Sequence, residues 1–125
     1  MENKRFNFTD LDAYKISFEL SNKVWSIVKD WDNLSKNTVG NQLIRAIDSI
    51  SANIAEGFGK YTKKDKINFY RHSCGSLNES MDWIEKSKTR KLINEKQYEY
   101  LKIELDKLPK LLNQLIYYTN KNLSH

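Results

Sequence analysis

Two stretches of this chain repeat apolar residues at alternating intervals of three and four. The first is Ile67, Tyr70, Cys74, Leu77, Met81 and Ile84, and the second is Tyr98, Leu101, Leu105, Leu108, Leu112 and Leu115. Such spacing averages about 3.5 residues and keeps every member on one side of an α-helix, whereas strand residues that share a face recur every two. The pattern predicts helices over residues 62–90 and 94–118. Asn94 reads as the N-cap of the last one, with Gln97 three residues on completing a capping box. Pro109 removes one backbone donor, but the leucines continue beyond it, so it should kink this helix rather than end it. Ser73, Ser76 and Ser80 flank the first seam, with Gly75 nearby. Small residues of this kind let a second helix come close.

Two further helices precede these. Residues 10–31 carry one stripe of Leu11, Tyr14, Phe18, Trp25 and Val28 and a second of Leu20, Val24, Ile27 and Trp31. So wide an apolar face predicts burial against more than one neighbour, and Asp10 is placed to cap it. Residues 38–56 carry Leu43, Ile47, Ile50 and Ile54 on one side. Gly57 stands where a left-handed residue would close that helix, followed by Phe58 tucked into the bundle end and a turn at Gly59. With only 4 glycines and 1 proline there is little punctuation for a many-stranded fold. Short breaks between long helices favour antiparallel neighbours. The expectation is a single all-α domain over residues 1–125, an antiparallel up-down-up-down four-helix bundle with a fraying "NKNLSH" tail.

Several chemistries find no support. The single cysteine, Cys74, rules out an intrachain disulfide framework. The start "MENKRFNFTDLD" has no apolar core of a signal peptide, and no stretch is long and apolar enough to span a bilayer. A cytoplasmic protein that does not enter membranes is expected. A di-iron bundle needs Glu-x-x-His pairs, but the histidines are His72 and the terminal His125, and neither follows a glutamate by three. Cys74 and His72 are two residues apart and so do not share a helix face. The segment "IAEGFGKYTKK" is reminiscent of a phosphate-cradling loop, yet Ile54 replaces the first glycine, Tyr61 replaces the metal-binding hydroxyl, and a helix precedes it where a strand is required. No catalytic, cofactor-binding or metal-binding residues are assigned, and a non-enzymatic protein is expected.

Charge is the remaining signal. The net charge of +5 equals the excess within residues 60–91, where nine basic residues face four acidic ones. Lys60, Lys63, Lys64 and Lys66 crowd the start of the third helix, and Lys86, Lys88, Arg90 and Lys91 crowd its end. Cations at a helix C-terminus suit its dipole, so the second cluster has a purely structural explanation. Lysines at an N-terminus do not, but there they create an anion site. Lys60, Lys63, Lys64, Lys66, Lys88, Arg90 and Lys91 are therefore candidates for phosphate contacts with RNA or DNA, with Tyr61, Phe69 and Tyr70 near enough to stack on bases. A solvated charged face accounts for the same residues equally well, and helix packing accounts for Tyr70.

The run "QLIRAIDSISANIAEGFGK" followed by "FYRHSCGSLNES" resembles the four-helix-bundle family of 23S rRNA intervening-sequence proteins, as do "DLDAYKISFELSNKVWSIVKDW" and the leucine-rich last helix. Lys60 stands where that family is expected to have Arg, and His72 where a small or apolar residue is expected. The resemblance implies a bacterial, antiparallel four-helix bundle assembled as a homopentamer, with no established catalysis. A related accessory protein of diversity-generating retroelements binds a reverse transcriptase and nucleic acid, which implies those partners as alternatives. Gln42, Arg45, Ser49, Asn53, Glu56 and Gly57 match the family motif, and we read them as organising helix 2 against helix 3 or a neighbouring subunit. Light scattering at micromolar concentration should then report several 14.8 kDa chains, five for a pentamer. A monomer would contradict the assembly.

Overall fold

The computed structural model describes residues 6–125, and every regular element among them is helical. Helix α1 spans Asp12–Val28, α2 spans Asn41–Phe58, α3 spans Lys63–Thr89, α4 spans Glu95–Asp106 and α5 spans Leu108–Asn122. A 3-10 turn at Phe8–Asp10 leads into α1, and helical turns at Asn33–Ser35 and Lys36–Gly40 lead into α2. These elements pack around one apolar core built from Leu20, Val24, Leu43, Ile47, Ile50, Ile54, Leu77, Ile84, Leu101, Leu105, Leu108 and Leu112.

The helix ends follow local chemistry. Thr62 caps α3, its hydroxyl accepting from the Asp65 amide at 3.1 Å. Asn94 and Gln97 form the capping box of α4, with reciprocal hydrogen bonds of 2.8 and 2.9 Å. Asp10 does not cap α1. It lies in the 3-10 turn, where its carboxylate accepts from the Asn7 amide at 2.8 Å, and Leu11 occupies the capping position. The stretch after α1, read as a break, is largely helical. Asp32 starts it by accepting from the Ser35 amide and hydroxyl at 3.0 and 2.9 Å, and the Ser35 amide bond holds its carboxyl below the usual range. Near Pro109 the last helix is interrupted at Lys107, and the proline falls in the first turn of α5, where no amide donor is needed. Helix α5 runs on to Asn122, through the first residues of the expected tail.

Two packing expectations are corrected. On α1 the stripe of Leu20, Val24 and Ile27 is buried together with Val28, but Phe18 and Trp25 are 48% and 61% exposed. Gly57 is not a left-handed cap. No described glycine has positive φ, and α2 continues through Phe58. Its role is steric: a Cβ there would sit 2.8 Å from the Tyr70 ring and 3.0 Å from Phe69 Cβ. Gly59 also keeps right-handed backbone.

The core-facing line of α3 is Tyr70, Ser73, Leu77, Ser80, Ile84 and Ser87, all buried. Cys74 and Met81, members of the apolar seam, are half-buried on its flank. The three serines keep the contact thin and are internally satisfied. Ser73 donates across to the Ile50 carbonyl at 2.7 Å, and Ser80 and Ser87 donate to carbonyls of their own helix. Gly75, in contrast, is exposed with nothing within 4 Å of a Cβ built there.

Gly57→Ala should therefore lower stability by about 1–3 kcal/mol through overpacking. Gly75→Ala should raise it by about 0.5–1 kcal/mol through helix propensity. Urea denaturation compares the two. Tyr70 supplies a pH test, because burial pushes its phenol up to about 12 from 10 in the unfolded chain. The unfolded state loses this proton first, so stability is full below pH 10 and falls as pH rises toward 12. Tyr70→Phe should make that alkaline limb shallower in urea titrations at stepped pH, with the part due to Tyr98 remaining.

Candidate nucleic-acid interface

The lysines before and within the first turns of α3 diverge in space. Lys66 donates to the Phe58 carbonyl at 2.6 Å and lies 5.4 Å over the Phe58 ring, and burial pulls its ammonium below the usual lysine range. Lys60 sits 3.8 Å from Glu56 and 5.1 Å over the Phe69 ring. Both lie back on the protein along their apolar stems. Lys63 reaches the Asn120 carbonyl at 3.4 Å, tying the start of α3 to the end of α5. Lys64 is exposed.

Lys63 and Lys64 line a groove of about 460 Å³ together with Asn68, Arg71 and Asn120, with Asp65 as its one carboxylate. Lys60 and Lys66 do not line it. Arg71, one of the nine basic residues of 60–91, falls between the two sequence clusters and so stands outside both. The available signal was helical spacing, since Arg71 follows Lys64 by seven residues and so shares its face. The groove offers two ammonium groups, a planar guanidinium and side-chain amides, a set suited to phosphate oxygens.

The second predicted cluster also separates. Lys88 lies 3.9 Å from Glu95 and 3.9 Å over the Tyr98 ring. The Tyr98 hydroxyl donates to Glu85 at 2.6 Å, and that bond raises its phenol to about 12. Lys91 is exposed at the turn that follows α3, with φ 60. Arg90 faces elsewhere, into a groove that it shares with Gln42, Arg45 and Trp83.

The motif residues of α2 run along its outer face. Gln42, Arg45 and Glu56 are exposed, Ser49 donates to the Arg45 carbonyl at 2.7 Å, and Asn53 donates to the Ser49 carbonyl at 2.8 Å. Gly57 alone of the set is buried, against Tyr70. Among aromatics near the first cluster, Tyr61 is 97% exposed and Tyr70 is 2% exposed, so Tyr61 is open to a ligand and Tyr70 is a packing residue. His72 is exposed, its ring 5.9 Å from that of Phe69. Cys74 is half-buried, and desolvation raises its thiol above the ordinary value despite the nearby Arg71. Among the described residues no three His, Cys, Asp or Glu side chains gather as metal ligands, and no helix is long and apolar enough to cross a membrane.

Comparison with known proteins gives a family. The chain is similar to a crystal structure of a protein with unknown function from the S23 ribosomal protein family of Bacteroides thetaiotaomicron. The two share 25% identity and a TM-score of 0.74, over 83% of this chain and 97% of that one. No curated protein matches. The profile of the family described as "23S rRNA-intervening sequence protein" matches residues 9–114, which is most of the chain. The chain thus belongs to the 23S rRNA-intervening sequence protein family.

Proposed function

We propose that this is a non-enzymatic, homo-oligomeric protein that binds RNA or DNA through phosphate contacts. The observation that carries the reading is the groove in which Lys63, Lys64 and Arg71 converge. Phosphate contacts of this kind grip a backbone without reading its sequence. An up-down-up-down antiparallel arrangement within one domain is part of the proposal. It is supported by the contact between Lys63 and Asn120, by Gly57 against Tyr70, and by the short links between successive helices. Assembly as a pentamer would repeat the groove around a ring and multiply its phosphate contacts in a cytoplasmic, bacterial setting.

Three cations per groove imply that the logarithm of affinity falls with the logarithm of salt with a slope of about −2 to −3. Fluorescence anisotropy with labelled RNA should show binding weakening by a few tens of fold between about 50 and 200 mM salt. Combined reversal by Lys63→Glu, Lys64→Glu and Arg71→Glu should lower affinity at least as much, with helicity unchanged in circular dichroism. Affinity indifferent to both salt and reversal would refute the reading.

A second reading has its own observation. Phe18 and Trp25 leave apolar surface open on α1, as a scaffold docking a partner enzyme such as a reverse transcriptase would, without touching nucleic acid itself. Co-purification of protein partners alone, with and without nuclease treatment, distinguishes it.

A further inference from the structure

The groove shared by Arg45 and Arg90 differs in kind from the lysine-lined one. It lies toward the other end of α3, about 30 Å along the helix from the lysine-lined groove at 1.5 Å per residue. Its volume is about 630 Å³, within the range of small-molecule sites. Arg45 and Gln42 enter it from α2, Trp83 and Arg90 from α3 and its end, and Asn37 and Asn41 from the start of α2 and the turn before it. No acidic residue lines it. Among the described residues every ion pair uses a lysine, and both guanidiniums are left exposed.

The backbone beside the groove is unusual. Lys36–Gly40 is a π-helical turn, a wider winding that occurs rarely and often at functional sites. It is pinned from behind, because a Cβ on Gly40 would stand 2.7 Å from Val28 Cγ1. The turn puts Asn37 on the groove wall and its carbonyl where the Asn41 amide nitrogen donates at 3.1 Å, leaving the Asn41 side-chain oxygen to accept from a ligand. Trp83 is half-buried, with the Lys86 ammonium 4.5 Å over its ring and 2.6 Å from Asp82. Exposed pairs of that kind are weak, so a flat ligand can displace the lysine from the indole.

These groups have complementary uses. Paired guanidiniums hold phosphate oxygens in a planar fork. An indole stacks on a base, and side-chain amides match the donors and acceptors of a base edge. A base inside a duplex offers neither its face nor its pairing edge. We infer that this groove binds an unpaired nucleoside phosphate, with the phosphate on Arg45 and Arg90 and the base against Trp83. The source is either a free nucleotide or a residue of a single strand. The single-strand form rests on the nucleic-acid reading above, and the free-nucleotide form does not.

The chain has three tryptophans, so the indole N–H signals in a proton–nitrogen NMR spectrum report the site directly, with Trp83→Phe assigning one of them. Adenosine monophosphate, uridine monophosphate, a short single-stranded RNA and the same RNA as a duplex are titrated separately. The Trp83 signal should move with the mononucleotides or the single strand and stay still with the duplex. Arg45→Gln and Arg90→Gln, both at exposed positions, should each weaken that binding tenfold or more without loss of helicity. Trp83→Leu should weaken it more than Trp83→Phe, read for both variants by the anisotropy of a fluorescently labelled nucleotide or single strand. A Trp83 signal unmoved by every ligand, or moved equally by duplex and single strand, overturns the inference. In that case salt-sensitive binding lost on charge reversal at Lys63, Lys64 and Arg71 would leave the phosphate-contact reading standing. A shift with mononucleotides while no polymer binds supports the groove, names the free nucleotide as its source and refutes the nucleic-acid reading.

Discussion

Helix α2 can approach α3 closely because small residues occupy the line of contact. Gly57 leaves room for the Tyr70 ring, and Ser73 reaches across to the Ile50 carbonyl at 2.7 Å. Larger side chains there would push the helices apart, and the apolar stripe of Leu43, Ile47, Ile50 and Ile54 would lose its depth of burial. Everything else in the molecule is placed relative to this pair. It sets where the start of α3 meets the end of α5, and it brings Arg45 on α2 over the same groove as Trp83 and Arg90.

The electrostatics follow from side-chain reach. A lysine stem of four carbons lies down on nearby aromatic surface when it can, and Lys60, Lys66, Lys86 and Lys88 all do so, with ammonium groups 3.9 to 5.4 Å from ring centroids. Charge that looks like one cluster in the sequence is thereby split between groups held against the protein and groups facing solvent. Lys63, Lys64 and Arg71 remain at one end of α3, and Arg45 and Arg90 remain at the other. The two grooves offer different chemistry, ammonium-rich in one case and guanidinium with indole and amides in the other.

The fold was legible because helical periodicity survives in the sequence without help from neighbours. The leucines of α4 and α5, the Asn94–Gln97 capping box and the stripe on α2 could all be read locally. The candidate sites were less legible. Arg71 belongs with Lys63 and Lys64 by one helical face rather than by adjacency, and Arg45 and Arg90 lie on different helices. The buried line of α3 was hidden because Ser73, Ser80 and Ser87 are polar, so a search for apolar spacing settled on Cys74 and Met81 one position away.

Helical character and family membership are written in the order of the residues, because period, capping residues and motif spacing act over a few residues at a time. Tertiary structure alone decided that Gly57 is a packing contact, that Phe18 and Trp25 stay open, and that the basic residues divide into two grooves. Those outcomes depend on which helix faces meet and how closely. That distance is set by the volumes and hydrogen bonds of side chains far apart in the chain.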